Sequence, residues 1–297
     1  MSNRRVLITG RNGFTGRYLA NALAAKGWEV WGLGQADGTP DDPTFLSADL
    51  TDPAALLGVI KEVRPSAVVH LAALAFVGHG NVEEFYKVNL IGTRNLLEAL
   101  SAADLDLQRV VLASSANIYG NAGGGALSEE TVPAPENDYA VSKLAMEYAA
   151  KLFSGQLPIS IARPFNYTGR GQNEKFLLPK IAAHFRARAT KIELGNLEVA
   201  RDFSDVRDVA EAYVALLDEV PSGSVVNICS GHATRLQDII ETCADISGHT
   251  VEVTTNPAFQ RANEISVLCG DPSRLASLSG YRPRYTLRET LAWMLED

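Results

Sequence analysis

A buried strand that runs straight into a set of glycines constrains this chain more than any other feature. Arg5-Val6-Leu7-Ile8-Thr9 is apolar without alternation, as a strand covered on both faces requires. It feeds Gly10-Arg11-Asn12-Gly13-Phe14-Thr15-Gly16, followed by a helix expected over 14–26. Glycines three apart between a strand and a helix let backbone approach a ligand closely and aim the first helical N–H groups at an anion. The plain alternative is that they serve only a tight turn and close helix packing. The pattern downstream favours the anion cradle. Strands are expected at 29–33, 45–48, 67–73, 109–113, 157–163 and 224–228, and helices at 53–63, 82–103 and 137–153. Strands alternating with helices make a parallel sheet wound on both faces, and its ligands sit at the carboxyl ends of the strands.

Size and charge narrow the partners. A chain of 297 residues has room for one large α/β unit and a smaller appendage. A net charge of −8 argues against nucleic acid or an anionic membrane as partner, so a phosphorylated ligand must meet a local basic cluster. The cysteines Cys229, Cys243 and Cys269 form no Cys-x-x-Cys pair and read as buried thiols of a reducing cytoplasm. The histidines lack metal-ligand spacing, so no metal is expected. The run Ala67–Val77 includes His70 and is too short to cross a bilayer. Arg4-Arg5 precedes only a short apolar strand, so no signal peptide is expected.

The chemistry concentrates between Ser114 and Lys143. Strand 109–113 ends in Ser114-Ser115-Ala116-Asn117-Ile118-Tyr119-Gly120. Past a glycine-rich loop a helix begins near Asn137 or Asp138, either of which suits an N-cap. Tyr139 and Lys143, four apart, share a helical face. Ser115 can hold a carbonyl or alcohol oxygen, Tyr139 can exchange a proton with it, and Lys143 is expected to lower the phenol pKa.

In this order, glycine fingerprint, Ser-Ser strand end, Tyr-Gly and Tyr-x-x-x-Lys, the chain resembles the extended short-chain dehydrogenase/reductase family of nucleotide-sugar epimerases, dehydratases and reductases. The resemblance implies a Rossmann-type doubly wound parallel sheet over 1–166 and 202–230. A smaller nucleotide-sugar-binding domain follows from 167–201 and 231–297. Ser115, Tyr139 and Lys143 become the catalytic residues. Cofactor contacts fall to Gly10, Arg11, Asn12, Gly13, Phe14 and Gly16, to Asp49-Leu50 at the adenine, to Leu71-Ala72-Ala73, to Tyr139 and Lys143, and to Pro164. The plain alternative for Asp49 or Thr51 is capping of the helix from Pro53, and His70 reads as a satisfied buried histidine. Substrate contacts fall to Ser115, Asn166, Arg201, Arg261 and Glu264, with Arg forks suited to a diphosphate. Each Arg alone could equally be a surface ion pair.

Activity and cofactor follow by comparison within that family. A 4,6-dehydratase carries an acid/base pair directly after its active-site Ser or Thr, where this chain has Ala116-Asn117, so dehydration is not expected. An NAD site places an acid after the second strand. Here Gly34-Gln35 follow, and Asp37 is the first acid within reach. Arg11 could instead meet a 2′-phosphate, which favours NADP over NAD, unless Arg11 is only a solvated loop charge. The stretches 164–172, 201–209 and 227–231 look most like bacterial GDP-4-keto-6-deoxy-mannose reductases, which make GDP-D-rhamnose. A UDP-glucose-type 4-epimerase with tightly bound NAD and a non-catalytic NADP-sensing regulator are the alternatives. Arg170 stands where the family commonly has Pro, and Gly78-His79-Gly80-Asn81 is unusual for a loop near the hexose. Surplus apolar residues on helices 82–103 and 137–153 imply a homodimer through them.

Overall fold

A computed structural model describes residues 4–35, 42–75, 81–122, 125–256, 259 and 265–296. Seven strands form one sheet: β1 (Arg5–Thr9), β2 (Glu29–Gly34), β3 (Phe45–Ser47), β4 (Ala67–His70), β5 (Arg109–Ala113), β6 (Ile159–Pro164) and, later in the chain, Val225–Ile228. Their spatial order is 225–228, β6, β5, β4, β1, β2, β3, and every pairing is parallel. This is the α/β, Rossmann-type doubly wound sheet expected, with its switch point where β1 lies between β2 and β4.

Alternation along each strand sorts the two faces. Val6, Ile8, Val69 and Val111 pack with helix α1 (Phe14–Ala25) and with the later helix Val206–Asp218. Leu7, Val68, Val110 and Leu112 pack on the other face with α2 (Pro53–Val63) and the helices of 82–102 and 138–151. Asp52 caps α2, accepting from the Ala54 and Ala55 amides at 3.0 Å. The expected alternatives, Asp49 and Thr51, bond each other instead.

The helix expected over 82–103 is three segments: α3 (Val82–Phe85), a π-helical stretch Tyr86–Gly92, and α4 (Thr93–Ala102). Wide turns of this kind recur at functional sites. Here Asn89 is turned inward to donate to the Leu74 carbonyl and accept from its amide. Helix α5 (Asp138–Lys151) is capped by Asn137, which accepts from Ala140 N at 2.9 Å. Tyr86 donates to Asp138 at 2.7 Å and ties this helix start to the π-helical stretch.

Past β6 the chain builds a second layer. Strands β7 (Asn166–Thr168) and β9 (Ala200–Asp205) pair in parallel, and β9 also holds β11 (Ala233–Arg235) and β13 (Val267–Leu268). Between them lie α6 (Leu177–Arg186) and β8 (Lys191–Leu194). After β9 come α7 (Val206–Asp218), β10 (Val225–Ile228), α8 (Leu236–Ser247), β12 (Glu252–Thr255, paired with β8), α9 (Ser273–Ser279) and α10 (Leu287–Leu295). α6, α8 and α10 close a separate core around Ile181, Phe185, Ile239 and Leu291. Asp202 ties the two layers. Its buried carboxylate accepts from Ser230 N and Oγ, Gly231 N and Gly270 N at 2.6–3.2 Å. Among the described residues no helix is long and apolar enough to cross a membrane, and no group of His, Cys, Asp and Glu is placed to hold a metal. Cys229 and Cys243 are buried free thiols, whereas Cys269 is only half-buried.

Candidate active site

The glycine loop is shaped for close approach. Gly10 has φ +73°, and a Cβ there would lie 3.0 Å from Ala72 N. A Cβ at Gly16 would lie 2.3 Å from the Gly10 carbonyl oxygen. These contacts leave room for no side chain, so the backbone itself lines the cradle. Helix α1 begins at Gly13 with no side-chain cap and no acid in its first turn, so its leading amides are left for an anion. The Asn12 side-chain amide nitrogen, in the same loop, is buried without a partner. A buried polar group of that kind calls for a ligand. The loop therefore fits a dinucleotide pyrophosphate. Phe14 stacks on Tyr167, whose hydroxyl pairs with Thr15 Oγ1 at 2.8 Å.

The strand ends beside it are locked by a directed chain of hydrogen bonds. β4 ends at His70, and Leu71-Ala72-Ala73 leave the sheet instead of extending it as expected. Ala72 N donates to Thr9 Oγ1 at 3.1 Å, and Thr9 Oγ1 meets His70 Nδ1 at 2.6 Å. Thr93 Oγ1 donates to the Asn89 carbonyl, so it must accept from His70 Nε2 at 2.8 Å. The Nε2–H tautomer follows, with Thr9 donating to Nδ1. Burial, with the charge of Lys143 a smaller cause, pushes the His70 pKa down to about 3, so it is a neutral structural link.

Ser115, Tyr139 and Lys143 are brought together and all are buried. Ser115 follows the end of β5 and caps the short 3₁₀ helix Ala116–Tyr119. Its Oγ accepts from Asn117 N and Asn117 Nδ2, both at 3.2 Å. With both lone pairs taken, its proton is free to be donated toward Tyr139, with which it hydrogen-bonds. Asn117 thus aims Ser115, a role the sequence did not disclose. Lys143 Nζ spends one of its three donors on the Ala113 carbonyl at 2.7 Å.

One expectation is corrected. The net shift of the phenol is upward, not downward. Burial pushes the Tyr139 pKa up to about 12, and the Ser115 hydrogen bond opposes it only in part. Burial also draws Lys143 down to about 8, against the nearby charge of Glu147. Desolvation of two facing groups outweighs their partners here. The phenol is thereby kept protonated, the state a proton donor needs.

At the cofactor's expected outer end, Arg11 is not a solvated loop charge. It lies over the Phe45 ring, donates to Thr44 Oγ1 at 2.9 Å and ion-pairs with Asp42. Its side chain is 12% exposed. Asp42 is a carboxylate that no local pattern marked, because it reaches Arg11 from the end of the connection that leads into β3. Asp37 lies outside the described residues. Asp49 accepts from Thr51 N and Oγ1, both at 2.8 Å, and Leu50 is buried against Gly92. Pro164 ends β6.

The expected substrate residues are only partly assembled. Asn166 stands opposite Phe203 in the β7–β9 register, so Arg201 lies diagonally across that pair. Arg201 Nη1 donates to the Ala200 and Ser266 carbonyls at 2.9 and 3.3 Å. Arg170 donates to the Trp293 carbonyl at 2.6 Å and so fastens α10. Arg261, Glu264 and the loop 78–80 lie outside the described residues.

Comparison with known proteins agrees with this geometry. The family model for GDP-mannose 4,6-dehydratase matches residues 7–294. A GDP-6-deoxy-D-talose 4-dehydrogenase of Aggregatibacter actinomycetemcomitans is 36% identical over 95% of this chain and 93% of its own length. A GDP-6-deoxy-D-mannose reductase of Pseudomonas aeruginosa is 34% identical over 99% and 97%. Among solved structures, a candidate epimerase from Burkholderia cenocepacia J2315 superimposes with TM-score 0.92 at 50% identity, covering 99% of this chain and 97% of its own. RMD from Pseudomonas aeruginosa, complexed with NADPH, does so with TM-score 0.86 at 32% identity and 98% coverage of both. The chain belongs to the extended short-chain dehydrogenase/reductase family of nucleotide-sugar epimerases, dehydratases and reductases.

Proposed function

We propose that this enzyme reduces the 4-keto group of a nucleotide-linked 4-keto-6-deoxyhexose, GDP-4-keto-6-deoxy-D-mannose first among them, using NADPH in preference to NADH. The observation that carries the reading is the buried Ser115–Tyr139–Lys143 cluster with a protonated phenol beside a dinucleotide cradle. Ser115, aimed by Asn117, turns its one proton from Tyr139 to the C4 oxygen and so holds the substrate there. Tyr139 releases its proton to that oxygen as charge develops, and Lys143 stabilises the phenolate left behind. A nicotinamide cofactor held by the glycine loop would supply the hydride for C4, so ketone, hydride and proton would balance to an alcohol. Asn166 and Arg201, with Arg261 and Glu264, anchor the nucleotide diphosphate and ribose, so that remote binding energy positions C4. The Rossmann unit over 1–166 and 202–230 would then hold cofactor, and 167–201 with 231–297 the nucleotide sugar.

Two products are open to such a site. GDP-D-rhamnose and GDP-6-deoxy-D-talose are C4 epimers formed from one ketone by hydride delivery to opposite faces, and a relative of each type resembles the chain at similar identity. The first is our reading; NMR of the product decides. Because Ala116-Asn117 stand where a dehydratase has its acid and base, GDP-mannose and NADPH alone should give no reaction. Adding a GDP-mannose dehydratase should start NADPH consumption. Conversion of UDP-glucose to UDP-galactose without net cofactor change would identify an epimerase. Tight NADP binding with no turnover of any nucleotide sugar would identify a sensor.

The Arg11–Asp42 pair bears on cofactor choice. A 2′-phosphate must draw Arg11 from a carboxylate, so the preference for NADPH is moderated. Arg11→Ala is expected to shrink the NADPH:NADH ratio of kcat/KM by roughly 10–100-fold, the scale of a hydrogen bond to a charged group. Asp42→Asn should enlarge it. A wild-type preference for NADH in steady-state assays would overturn this.

For assembly, Ile91 on the π-helical stretch and Val141 and Tyr148 on α5 are exposed, as is Leu152, 72% exposed just past α5. Apolar surface gathered on two adjacent helices supports a homodimer through α3–α4 and α5. Light scattering of wild type and Tyr148→Asp/Leu152→Asp tests it: a dimer that the double variant converts to monomer.

A further inference from the structure

Tyr139, Lys143 and Glu147 follow one another at four-residue intervals along α5, on its buried face. Glu147 is 3% exposed and does not bond Lys143 directly. Both its oxygens are taken by Arg163 on β6, which donates through Nε at 3.0 Å and Nη2 at 2.7 Å. Arg163 Nη1 continues to the Tyr119 hydroxyl at 3.0 Å and to the Glu129 carbonyl at 3.2 Å. Tyr119 donates to Asn227 Oδ1 at 2.7 Å, and Asn227 donates to the Leu127 carbonyl at 2.9 Å. The carboxylate is thus held in one place by a network reaching two strands, the short helix Ala116–Tyr119 and the loop at 127–129. A fork of two charge-assisted bonds fixes its orientation as well as its position.

We propose that Glu147 is a positioning residue for the reaction: its buried carboxylate, clamped by Arg163 one turn beyond Lys143, holds the Lys143 ammonium charged and in place behind Tyr139. The groups around Lys143 make this carboxylate the anion that counts. On its own helix stand Tyr139, protonated, and Glu147. β4 presents His70, which is neutral, and β5 presents the Ala113 carbonyl. The π-helical stretch and α4 bring the uncharged Asn89 and Thr93 to this side. Arg163 and Tyr119 lie beyond Glu147, Arg163 being positive and Tyr119 neutral. Burial alone drives a lysine toward its neutral form. A neutral Lys143 would donate one bond fewer and could not stabilise a phenolate. Glu147 opposes that loss through space, in line with the direction of its effect on Lys143.

The role in turnover presupposes the reductase reading above, but the titration of Lys143 does not. The protein is labelled with carbon-13 at lysine Cε, the Lys143 signal is assigned with Lys143→Arg, and its titration is followed by NMR. In the wild type it should titrate near 8. In Glu147→Gln it should titrate lower by roughly one pH unit or more, because an opposite charge shifts a neighbour by that scale. Glu147→Asp, which keeps the charge, should restore most of the shift. Since Glu147→Gln leaves Arg163 without a counter-charge and could fail to fold, Glu147→Gln/Arg163→Gln replaces the ion pair by two amides and should show a fall in the same direction, smaller because the positive charge of Arg163 goes with it. Where the substrate is turned over, kcat/KM for reduction should decline as pH rises through the Lys143 titration, and the decline should move to lower pH in the Gln variants. An unshifted Lys143 titration in a folded Gln variant, judged by an intact thermal transition and NADPH binding, overturns the proposal even if reductase activity is confirmed. A shifted titration in an enzyme that reduces no ketone upholds the electrostatic role and overturns only the reaction.

Discussion

Replacing Tyr139 by Phe is expected to lower kcat/KM for ketone reduction by roughly 10²–10⁴-fold, the range for removing a positioned general acid. The phenol is buried, bonded to Ser115 and held protonated, its pKa pushed up to about 12 by burial. Phe fills the same space against Phe85, whose ring centroid lies 6.0 Å away, and loses only the hydroxyl. Folding and cofactor affinity should therefore change little. Ser115 keeps its bonds from Asn117, and Lys143 keeps its bond to Ala113. Stopped-flow NADPH oxidation, with NADPH binding and a thermal transition as controls, separates the outcomes. Near-normal turnover by the Phe variant would remove Tyr139 as the proton donor. A collapse of cofactor affinity instead would recast it as a binding residue.

The second large effect lies at the opposite side of the site. Gly16→Ala should weaken cofactor binding by roughly 10–100-fold. Its Cβ would lie 2.3 Å from the Gly10 oxygen and 2.5 Å from the Arg11 oxygen. Both are backbone atoms, so no side-chain rotation relieves the clash. The loop must move, at a cost of about 1–3 kcal/mol typical of overpacking. A lower thermal midpoint should accompany the lost affinity. Gly58→Ala is the control, because a Cβ there meets nothing within 4 Å on the exposed side of α2. It should leave affinity unchanged and raise stability slightly, by about 0.5–1 kcal/mol for a helix interior. Titration of NADPH by fluorescence measures both. Wild-type affinity in Gly16→Ala would mean that the loop does not form the cradle.

Much of this protein was legible residue by residue because its signals are local. A strand buried on both faces reads as an unbroken apolar run, and Arg5–Thr9, Ala67–His70 and Arg109–Ala113 are such strands. The spacing of Gly10, Gly13 and Gly16 is set by how closely backbone must approach backbone in one loop. Tyr139 and Lys143 share a face because an α-helix turns in 3.6 residues. From these alone followed the doubly wound fold and the place of the Ser115, Tyr139 and Lys143 side chains.

What only the tertiary structure decided depends on groups distant in sequence that desolvate or charge one another. Arg11 meets Asp42 through the folding of the connection before β3, and no local pattern marks it. Glu147 is visible as a third member of the Tyr139 and Lys143 face, yet its clamp by Arg163 exists only once β6 packs behind α5. The same packing reversed the expected direction of the Tyr139 pKa. Spacing shows that a cation is within reach, but the balance between that cation and lost water depends on burial, which is a property of the whole fold. β9 likewise joins β7, β11 and β13, away from the seven-stranded sheet, because strand pairing is chosen by the register of distant segments. The sequence by itself determined the elements and the chemistry available to them; long-range packing determined which charges face one another and which of them stay charged.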